Sequence, residues 1–437
     1  MCVQTPIDCS GDCPNVAIVT AIQPWHRRRY VLLCRVVCLL AALDAIGAMA
    51  QQAPDVIWSR QTDTNFVSPV AISPDGIWVA TSGPTNSIRL ANLADGAVVR
   101  HFLGHTDVVA SIAFSPRGGL LASTADDRTL RLWELSTGAL LRTISLGGGQ
   151  RQFSSVAFHP DGEHVATDRS RTNVVVWRIS DGMPVWERLG NASEIESLAF
   201  SPDGSLLVAA GGFRGADAQI RVFQVSNGNP IQSLTTSNTY GVRELAFSPD
   251  GQWLAAGTDR LTNFSGAVEL WRVADWTRVR QLPVHAPALG FSPDSKLLVT
   301  LRPNAMELWT IPEGTLVRSF GTPVSGDYAP HLSIAVSPAA DRIVTVNYRF
   351  IATPNGTLTE STATAIRFPM RLSVSLLSDS SAAFSWTGGY PLYQVQRRTF
   401  DGPDWVNIGE ATTNRSVTLP LDGPGAMFRV VAPAQQP

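Results

Sequence analysis

Lysine is almost missing from this chain of 437 residues, because Lys296 is the one lysine among 34 basic side chains. Charged residues of all kinds make up only 16 % of the sequence, and the formal net charge is −2. A chain without a basic excess lacks the positive charge that holds a phosphate backbone. The composition therefore predicts that nucleic acid is not a partner.

Cysteine is missing from most of the chain as well. The five cysteines all lie before residue 40, at Cys2, Cys9, Cys13, Cys34 and Cys38. The remaining residues therefore have no thiol with which to form a disulfide, a thiolate metal site or a cysteine nucleophile.

Long uninterrupted apolar runs are scarce, and the one candidate lies near the N-terminus. Arg27, Arg28 and Arg29 precede an apolar stretch that ends at Ala48-Met49-Ala50. A stable membrane span needs about 20 apolar residues, whereas Arg35 and Asp44 interrupt this stretch. The layout predicts an N-terminal extension and secretory signal peptide over residues 1–50, with cleavage near Ala50. We therefore expect a secreted or periplasmic bacterial protein whose mature chain has no stable membrane span. An uncleaved tail is the alternative.

A tetrapeptide of the form Ser-Pro-Asp-Gly recurs along the rest of the chain. Its anchors lie 42 to 47 residues apart, at Ser73, Ser115, His159, Ser201, Ser248, Ser292 and Ser337. A repeat of roughly 40–50 residues built from short strands is typical of a β-propeller. The sequence therefore predicts an all-β chain with a seven-bladed propeller over residues 51–369.

The second repeat shows how one blade is built. Turns with glycine or paired aspartates separate four short strands, which we expect at 109–114, 120–124, 129–135 and 139–144. A lone four-stranded sheet cannot bury both faces, so neighbouring blades must bury each other. Large side chains recur on the third strand and are interpreted as packing between blades: Trp133, Trp177, Phe223, Trp271 and Trp309.

The way in which the ring closes is left open by the sequence. Residues 55–61 resemble the fourth strand at 183–189, and they are expected to supply the outer strand of the seventh blade. Asn355-Gly356 is interpreted as the turn before a fourth strand, so residues 357–361 are the alternative.

The repeat stops after Phe368-Pro369, and a different β pattern follows. Short alternating strands are expected at 372–376, 382–386, 392–398, 405–408, 416–421 and 427–431. Residues 370–437 are therefore predicted to form a small β-sandwich-like domain.

Two resemblances add to this prediction. Gly104-His105, Ser123, Asp127 and Trp133 follow the pattern of the WD-repeat family, which residues 70–320 resemble. The resemblance implies that His105, Ser123, Asp127 and Trp133 form a buried hydrogen-bonded tetrad with a structural role. Residues 370–437 resemble a fibronectin type III module, with Trp386 in its core and Tyr393 on a central strand. That resemblance implies a spacer or an adhesion element, with a simple cap on the propeller as the alternative.

Catalytic signatures are not found. The sequence has no G-x-S-x-G elbow, no H-E-x-x-H helix motif and no phosphate loop. The histidines are interpreted as lying in different repeats, without metal-ligand spacing. We therefore expect no enzymatic activity, no cofactor and no metal.

Arginines recur in the turns between second and third strands, which in WD-repeat proteins emerge on one face. With two aromatic residues in long loops they form the predicted binding surface: Arg128, Arg169, Arg171, Phe213, Arg214, Arg260, Phe264, Arg302 and Arg349. Guanidinium groups suit carboxylate or phosphate groups. Ordinary solvated turn residues are the alternative.

The sequence thus predicts a non-enzymatic scaffold that presents its loops to a protein partner in the cell envelope or outside the cell. The first alternative is a propeller that binds or turns over a small anionic molecule at its central channel. The second is an envelope structural or adhesion protein, which depends on the C-terminal module. The partner's identity and the oligomeric state are left open.

Overall fold

The computed structural model of the chain describes its residues in segments separated by short gaps. The described residues are 19–21, 56–62, 69–147, 155–190, 194–212, 219–237, 241–258, 266–284, 286–302, 305–321, 333–339, 342–353, 356–367, 371–378, 381–387, 393–399, 406–412, 416–420 and 426–431. They form 35 strands, numbered in chain order. No helix that could cross a membrane occurs within these segments. The leader at residues 27–50 lies outside them.

The chain divides into two compact units. The larger unit, Met49–Arg367, consists of seven antiparallel sheets of four strands each. This confirms the predicted all-β, seven-bladed propeller.

The first three blades are continuous in sequence. Blade one has β3 (Val70–Ile72), β4 (Trp78–Gly83), β5 (Ser87–Asn92) and β6 (Val98–Phe102). Blade two has β7 (Val109–Phe114), β8 (Leu120–Ala125), β9 (Thr129–Glu134) and β10 (Leu140–Ser145). Blade three has β11 (Val156–Phe158), β12 (His164–Arg169), β13 (Asn173–Arg178) and β14 (Pro184–Leu189).

The remaining blades follow the same order until the seventh. Blade four has β15 (Ser197–Phe200), β16 (Leu206–Ala210), β17 (Gln219–Gln224) and β18 (Pro230–Thr235). Blade five has β19 (Val242–Phe247), β20 (Trp253–Thr258), β21 (Val268–Arg272) and β22 (Thr277–Leu282). Blade six has β23 (Ala288–Phe291), β24 (Leu297–Arg302), β25 (Ala305–Thr310) and β26 (Leu316–Gly321). Blade seven has β27 (Ser333–Val336), β28 (Arg342–Thr353), β29 (Gly356–Arg367) and β2 (Val56–Gln61).

The first strands of the blades form the inner wall of a closed ring. Each of these seven strands contacts the first strand of both neighbouring blades, including β27 of blade seven against β3 of blade one. The turns between second and third strands therefore lie on one face of the disc. The turns between first and second strands, and those between third and fourth strands, lie on the other.

An N-terminal strand closes the ring. β2 pairs antiparallel with β29, so the first strand of the propeller completes its last blade. Trp58 of β2 is buried, and its indole N–H donates to the Leu93 carbonyl at 2.9 Å. Trp186 of blade three donates to Val225 in the same way at 2.8 Å. The similarity between residues 55–61 and 183–189 therefore reflects equivalent positions.

The alternative closure is wrong. Residues 357–361 belong to the third strand of blade seven, because β28 and β29 pair along twelve residues each. Gly356 is therefore the first residue of the third strand of this blade, and Asn355-Gly356 does not precede its fourth strand as expected.

The recurring tetrapeptide makes the turn between the first two strands of a blade. In blade one Ser73 Oγ donates to Asp75 Oδ1 at 2.5 Å and accepts the Trp78 N–H at 2.9 Å. Gly76 has φ of +70°, a conformation that glycine adopts without a steric penalty. The motif therefore recurs because this turn requires a short hydroxyl, a carboxylate and a glycine.

The core lies between the blades. Clusters of buried side chains combine the strands of adjacent sheets, as where Trp133 of blade two packs with Ile88, Leu90 and Phe102 of blade one. The recurring aromatic residues of the third strands are all buried. Packing between blades was their predicted role.

The smaller unit joins Met1–Ala48 with Phe368–Pro437. One of its sheets has the order β30 (Arg371–Ser378), β31 (Ser381–Thr387), β34 (Ser416–Pro420). The other has the order β1 (Val19–Ala21), β35 (Ala426–Val431), β32 (Tyr393–Thr399), β33 (Val406–Thr412). Each of the six strands expected after residue 370 is present within a few residues of its predicted position.

Candidate functional site

The tetrad residues of blade two form one hydrogen-bonded chain. Trp133 Nε1–H donates to Ser123 Oγ at 2.9 Å, and Ser123 Oγ lies 2.8 Å from His105 Nε2. His105 Nδ1 lies 2.8 Å from Asp127 Oδ2. Neutral His105 satisfies both neighbours when its proton is on Nδ1, because Nε2 then accepts the serine hydroxyl.

Hydrogen bonding keeps Asp127 ionised. Burial favours the neutral acid, but donors from His105, Thr129 and the Thr106 backbone outweigh it and hold the pKa of Asp127 well below its usual range. The ring of His105 is enclosed, and its nitrogens hydrogen-bond with Ser123, Asp127 and Thr129 of blade two. Both ring nitrogens of His105 are hydrogen-bonded within the protein, so neither offers a free lone pair to a substrate. This arrangement is that of a structural histidine.

Two other blades keep only the tryptophan end of this chain. Trp177 donates to Thr167 at 2.9 Å, and Trp309 donates to Thr300 at 3.1 Å. Blade four has Phe223 and Ala209 at the positions of the tryptophan and its acceptor, so neither a donor nor an acceptor is present. In blade five Trp271 lies opposite Leu254 and the acceptor position is Ala256, so the buried Trp271 Nε1 has no hydrogen-bond partner among the described residues.

Four arginines of the predicted binding surface have described side chains on the expected face. Arg128 is exposed and has φ of +63° in the turn of blade two. Arg169 lies at the end of β12, Arg171 lies in the turn that follows, and Arg302 lies at the end of β24. The structure thus places them at the same end of blades two, three and six.

Three of these arginines are neutralised within the chain. Arg169 Nη1 lies 3.0 Å from Glu187 Oε2, and Arg302 Nη2 lies 2.7 Å from Glu307 Oε1. Arg171 forms an ion pair with Glu194. Glutamates supply the counter-charges. This pairing lowers the positive potential that the surface offers to an anion.

The other members of the predicted surface cannot be placed as side chains. Phe213, Arg214, Arg260 and Phe264 lie outside the described residues. Arg349 was expected in a loop, but it lies within the long strand β28, and its side chain is not among those described.

On the inner wall of the ring, the position four residues before the turn anchor is serine in blades two, three, four and seven. The hydroxyls of Ser111, Ser155 and Ser197 accept backbone N–H groups from the next blade, at 2.9–3.3 Å. Glu244 takes the equivalent position in blade five, and burial raises the pKa of its carboxyl to about 8. Among the seven described inner strands the only charged side chains are Arg243 and Glu244.

A cluster that the sequence interpretation missed lies at the turn between β11 and β12. His159 and His164 were interpreted as lying in different repeats, which is wrong because both belong to blade three. They meet at Asp161, whose Oδ2 lies 2.9 Å from His159 Nδ1 and 2.7 Å from His164 Nδ1. The H-x-D-x-x-H spacing was visible in the sequence, but the repeat pattern led us to interpret this aspartate only as a turn former.

The comparisons with known proteins agree with the fold. The family model "WD domain, G-beta repeat" matches residues 96–134 and 228–264, and the "Anaphase-promoting complex subunit 4 WD40 domain" model matches residues 156–240. The chain is also similar to an uncharacterized WD repeat-containing protein of Synechocystis, with 37 % identity over 82 residues. That match covers 19 % of this chain and 22 % of the relative, so the chain spans about a fifth of that relative's length. These matches support the WD-repeat resemblance over the second to fifth blades.

Proposed function

We propose that this protein is a non-enzymatic scaffold that binds a protein partner through the face on which the second and third strands of each blade are joined. The observation that carries the proposal is the closed ring of seven WD-type blades, since rigid repeat discs of this kind present their loops to other proteins. The partner's identity is not specified by this argument.

Blades four and five are the proposed centre of the binding face. Their loops at 211–219 and 258–266 are the longest between second and third strands, and long loops on one face of a repeat disc often mark the binding side. Gly241, which leads into blade five, packs so closely on the Gly212 carbonyl that only glycine fits there. The base of the blade-four loop is therefore supported by the neighbouring segment.

The alternative of a small anion in the central channel is less well supported. Arg243 is the one cation on the described inner strands, and its Nη1 lies 2.7 Å from Glu196 Oε2. Glu244 adds a carboxyl group to the same wall. A channel with this charge distribution offers an anion no uncompensated positive side chain from those strands.

We further propose a secreted or periplasmic location, on the basis of the N-terminal arginines, apolar stretch and A-x-A sequence. We also propose that the C-terminal unit is fibronectin type III-like, because residues 371–431 contribute three short antiparallel strands to each of its two sheets. An adhesion role for this unit is a second candidate function. Deletion of residues 370–437, with measurement of cell-surface attachment, distinguishes that role from partner binding by the propeller.

The direct test is a pull-down from envelope and culture fractions with the full chain as bait, analysed by mass spectrometry. The test variant combines Arg128→Glu, Arg214→Glu and Arg260→Glu. Arg302 is left unchanged, because its reversal would place two carboxylates together at the buried Glu307. We expect a protein that the wild-type chain enriches to be lost with this variant.

A matched control reverses three charges on the opposite face, with Arg117→Glu, Arg272→Glu and Lys296→Glu. These residues are exposed, and the ion pairs of Arg117 and Arg272 are solvent-exposed pairs of small energetic value. The control should retain the partner. Equal retention by both variants would contradict the proposed binding face, and the lack of any enriched protein would contradict the scaffold function.

A further inference from the structure

The turn of blade three replaces the usual serine with a histidine. His159 takes the place of Ser73 and its equivalents, and His164 takes the place that leucine or tryptophan has in the blades with Leu120, Leu206 and Trp253. Both changes bring an imidazole to the same aspartate, Asp161. The nitrogen and oxygen atoms concerned all lie within 4.8 Å of one another.

The orientation of the His159 ring is set by the next blade. Its Nε2 lies 2.9 Å from the Gly204 carbonyl oxygen, an acceptor, so Nε2 carries the proton. Gly204 has φ of +74°, and a Cβ there would lie 2.5 Å from His159 Nε2. The glycine therefore permits the approach that orients the ring.

This orientation makes His159 Nδ1 the hydrogen-bond acceptor of the neutral ring. The Asp161 backbone N–H donates to this atom at 3.1 Å. The atom also lies 2.9 Å from the carboxylate oxygen Asp161 Oδ2. In neutral His159 an acceptor nitrogen and a carboxylate oxygen thus lie at hydrogen-bond distance, and a cation bound to both would replace the backbone N–H as the partner of Nδ1.

We propose that His159, Asp161 and His164 bind a divalent transition metal ion, with zinc as the best match. Two imidazole nitrogens and one carboxylate oxygen are a ligand set that zinc accepts, at metal–ligand distances of about 2.0–2.2 Å. A tetrahedral site of that size separates its ligand atoms by about 3.4 Å. The separations of 2.7 and 2.9 Å between Asp161 Oδ2 and the histidine nitrogens must therefore widen by about 0.5–0.7 Å, and all three ligand atoms lie within 4.8 Å of one another.

The surroundings have two features of a metal site. A ligating histidine normally donates its second nitrogen to a carbonyl or carboxylate, and the contact of His159 with Gly204 is of this kind. The side chains are partly enclosed, with 15 %, 30 % and 28 % exposure for His159, Asp161 and His164. Three protein ligands leave the fourth position to water or to a ligand from outside.

The metal would lie on the face opposite the arginine-bearing turns. Because His159 contacts the turn of blade four, an ion held by His159 also ties blade three to blade four. We therefore expect zinc to raise the melting temperature of the propeller.

The test uses the full chain with no histidine tag, stripped with EDTA and dialysed against micromolar Zn²⁺. The variants are His159→Ser and His164→Leu, alone and combined, since these restore residues that other repeats carry at the same positions. We expect the wild-type chain to bind one ion more per chain than the double variant. Each single variant should weaken zinc affinity by at least about tenfold.

Two controls separate this site from other ligands. His101→Gln removes an exposed histidine on β6 and should leave zinc binding unchanged. The N-terminal cysteines are present in every variant, so their contribution cancels in the difference. Equal zinc binding, or an equal rise in melting temperature, in the wild type and the double variant would overturn the proposal.

Zinc X-ray absorption of the wild-type chain gives an answer that does not depend on the variants. Nitrogen and oxygen ligands in the first coordination shell would support the site. A shell of sulfur alone would assign the ion to cysteines and refute it.

Discussion

Replacing Ala256 with serine should stabilise the propeller, because it supplies the acceptor that Trp271 lacks. In blade two the third-strand tryptophan Trp133 lies opposite Leu121, and its acceptor Ser123 is two residues further along β8. In blade five Trp271 lies opposite Leu254, and the residue two positions further is Ala256. The serine hydroxyl would therefore lie where the Trp271 indole N–H points.

The size of the effect follows from the buried donor. Trp271 is 7 % exposed and Ala256 is fully buried, so water does not readily replace the missing acceptor. An unsatisfied buried donor costs about 1–3 kcal/mol, and a hydrogen bond returns about 1 kcal/mol net. The new hydroxyl must itself be buried, which offsets part of the gain. We expect an increase of about 1 kcal/mol in the free energy of unfolding.

Urea unfolding followed by tryptophan fluorescence measures this change. Ala209→Ser is the matched control, because Ala209 is equally buried at the equivalent position of blade four, where the third-strand aromatic residue is Phe223, which has no donor. The control should lose about 1–2 kcal/mol, since its hydroxyl is buried without an indole partner. A double variant, Ala256→Ser with Trp271→Phe, should lose the gain, and the coupling energy isolates the single hydrogen bond.

Two results would refute this reasoning. If both serine variants change stability by the same amount, the indole is not the cause. If Ala256→Ser stabilises equally in the presence and absence of Trp271, the hydroxyl has found another partner.

Three further predictions follow from other positions. In the folded chain Glu244 keeps its proton up to about pH 8, whereas in the unfolded chain it loses the proton near pH 4.5. The free energy of unfolding therefore falls as the pH rises between these values, and Glu244→Gln should remove that fall. Urea unfolding at a series of pH values measures this. Asp127 stabilises the fold only while its carboxylate is ionised, because its pKa is lowered in the folded chain. Asp127→Asn should therefore lower the free energy of unfolding at neutral pH and reduce the loss of stability in acid below about pH 3.8. Acid titration followed by circular dichroism measures this. Trp58→Ala should lower the free energy of unfolding by about 3–5 kcal/mol and promote aggregation, because it removes the buried anchor of β2 and weakens the closure of the ring. Urea unfolding measures the first effect, and light scattering measures the second.

The propeller could be predicted because one turn chemistry recurs in the sequence. Ser73 and its equivalents mark the first turn of each blade, and the strands on either side have the apolar alternation of half-buried β-structure. Blade seven was harder to predict because β28 and β29 are twice as long as the usual strands, which moves Asn355-Gly356 to a different turn. An Asn-Gly turn has the same composition whether it follows the second or the third strand of a blade, so only the pairing of the strands shows which turn it is.

The electrostatics of the candidate sites could not be predicted in the same way, because the ion pairs join residues of different strands. Arg169 of β12 pairs with Glu187 of β14, and Arg302 of β24 pairs with Glu307 of β25. The histidine cluster lies within a single turn of the sequence, from His159 to His164. What the sequence could not show is that the Gly204 carbonyl of the next blade orients His159. Without that contact the ring could satisfy Asp161 as a simple hydrogen-bond donor. With it, the acceptor nitrogen of His159 lies beside the carboxylate oxygen of Asp161, and a cation can bind both atoms.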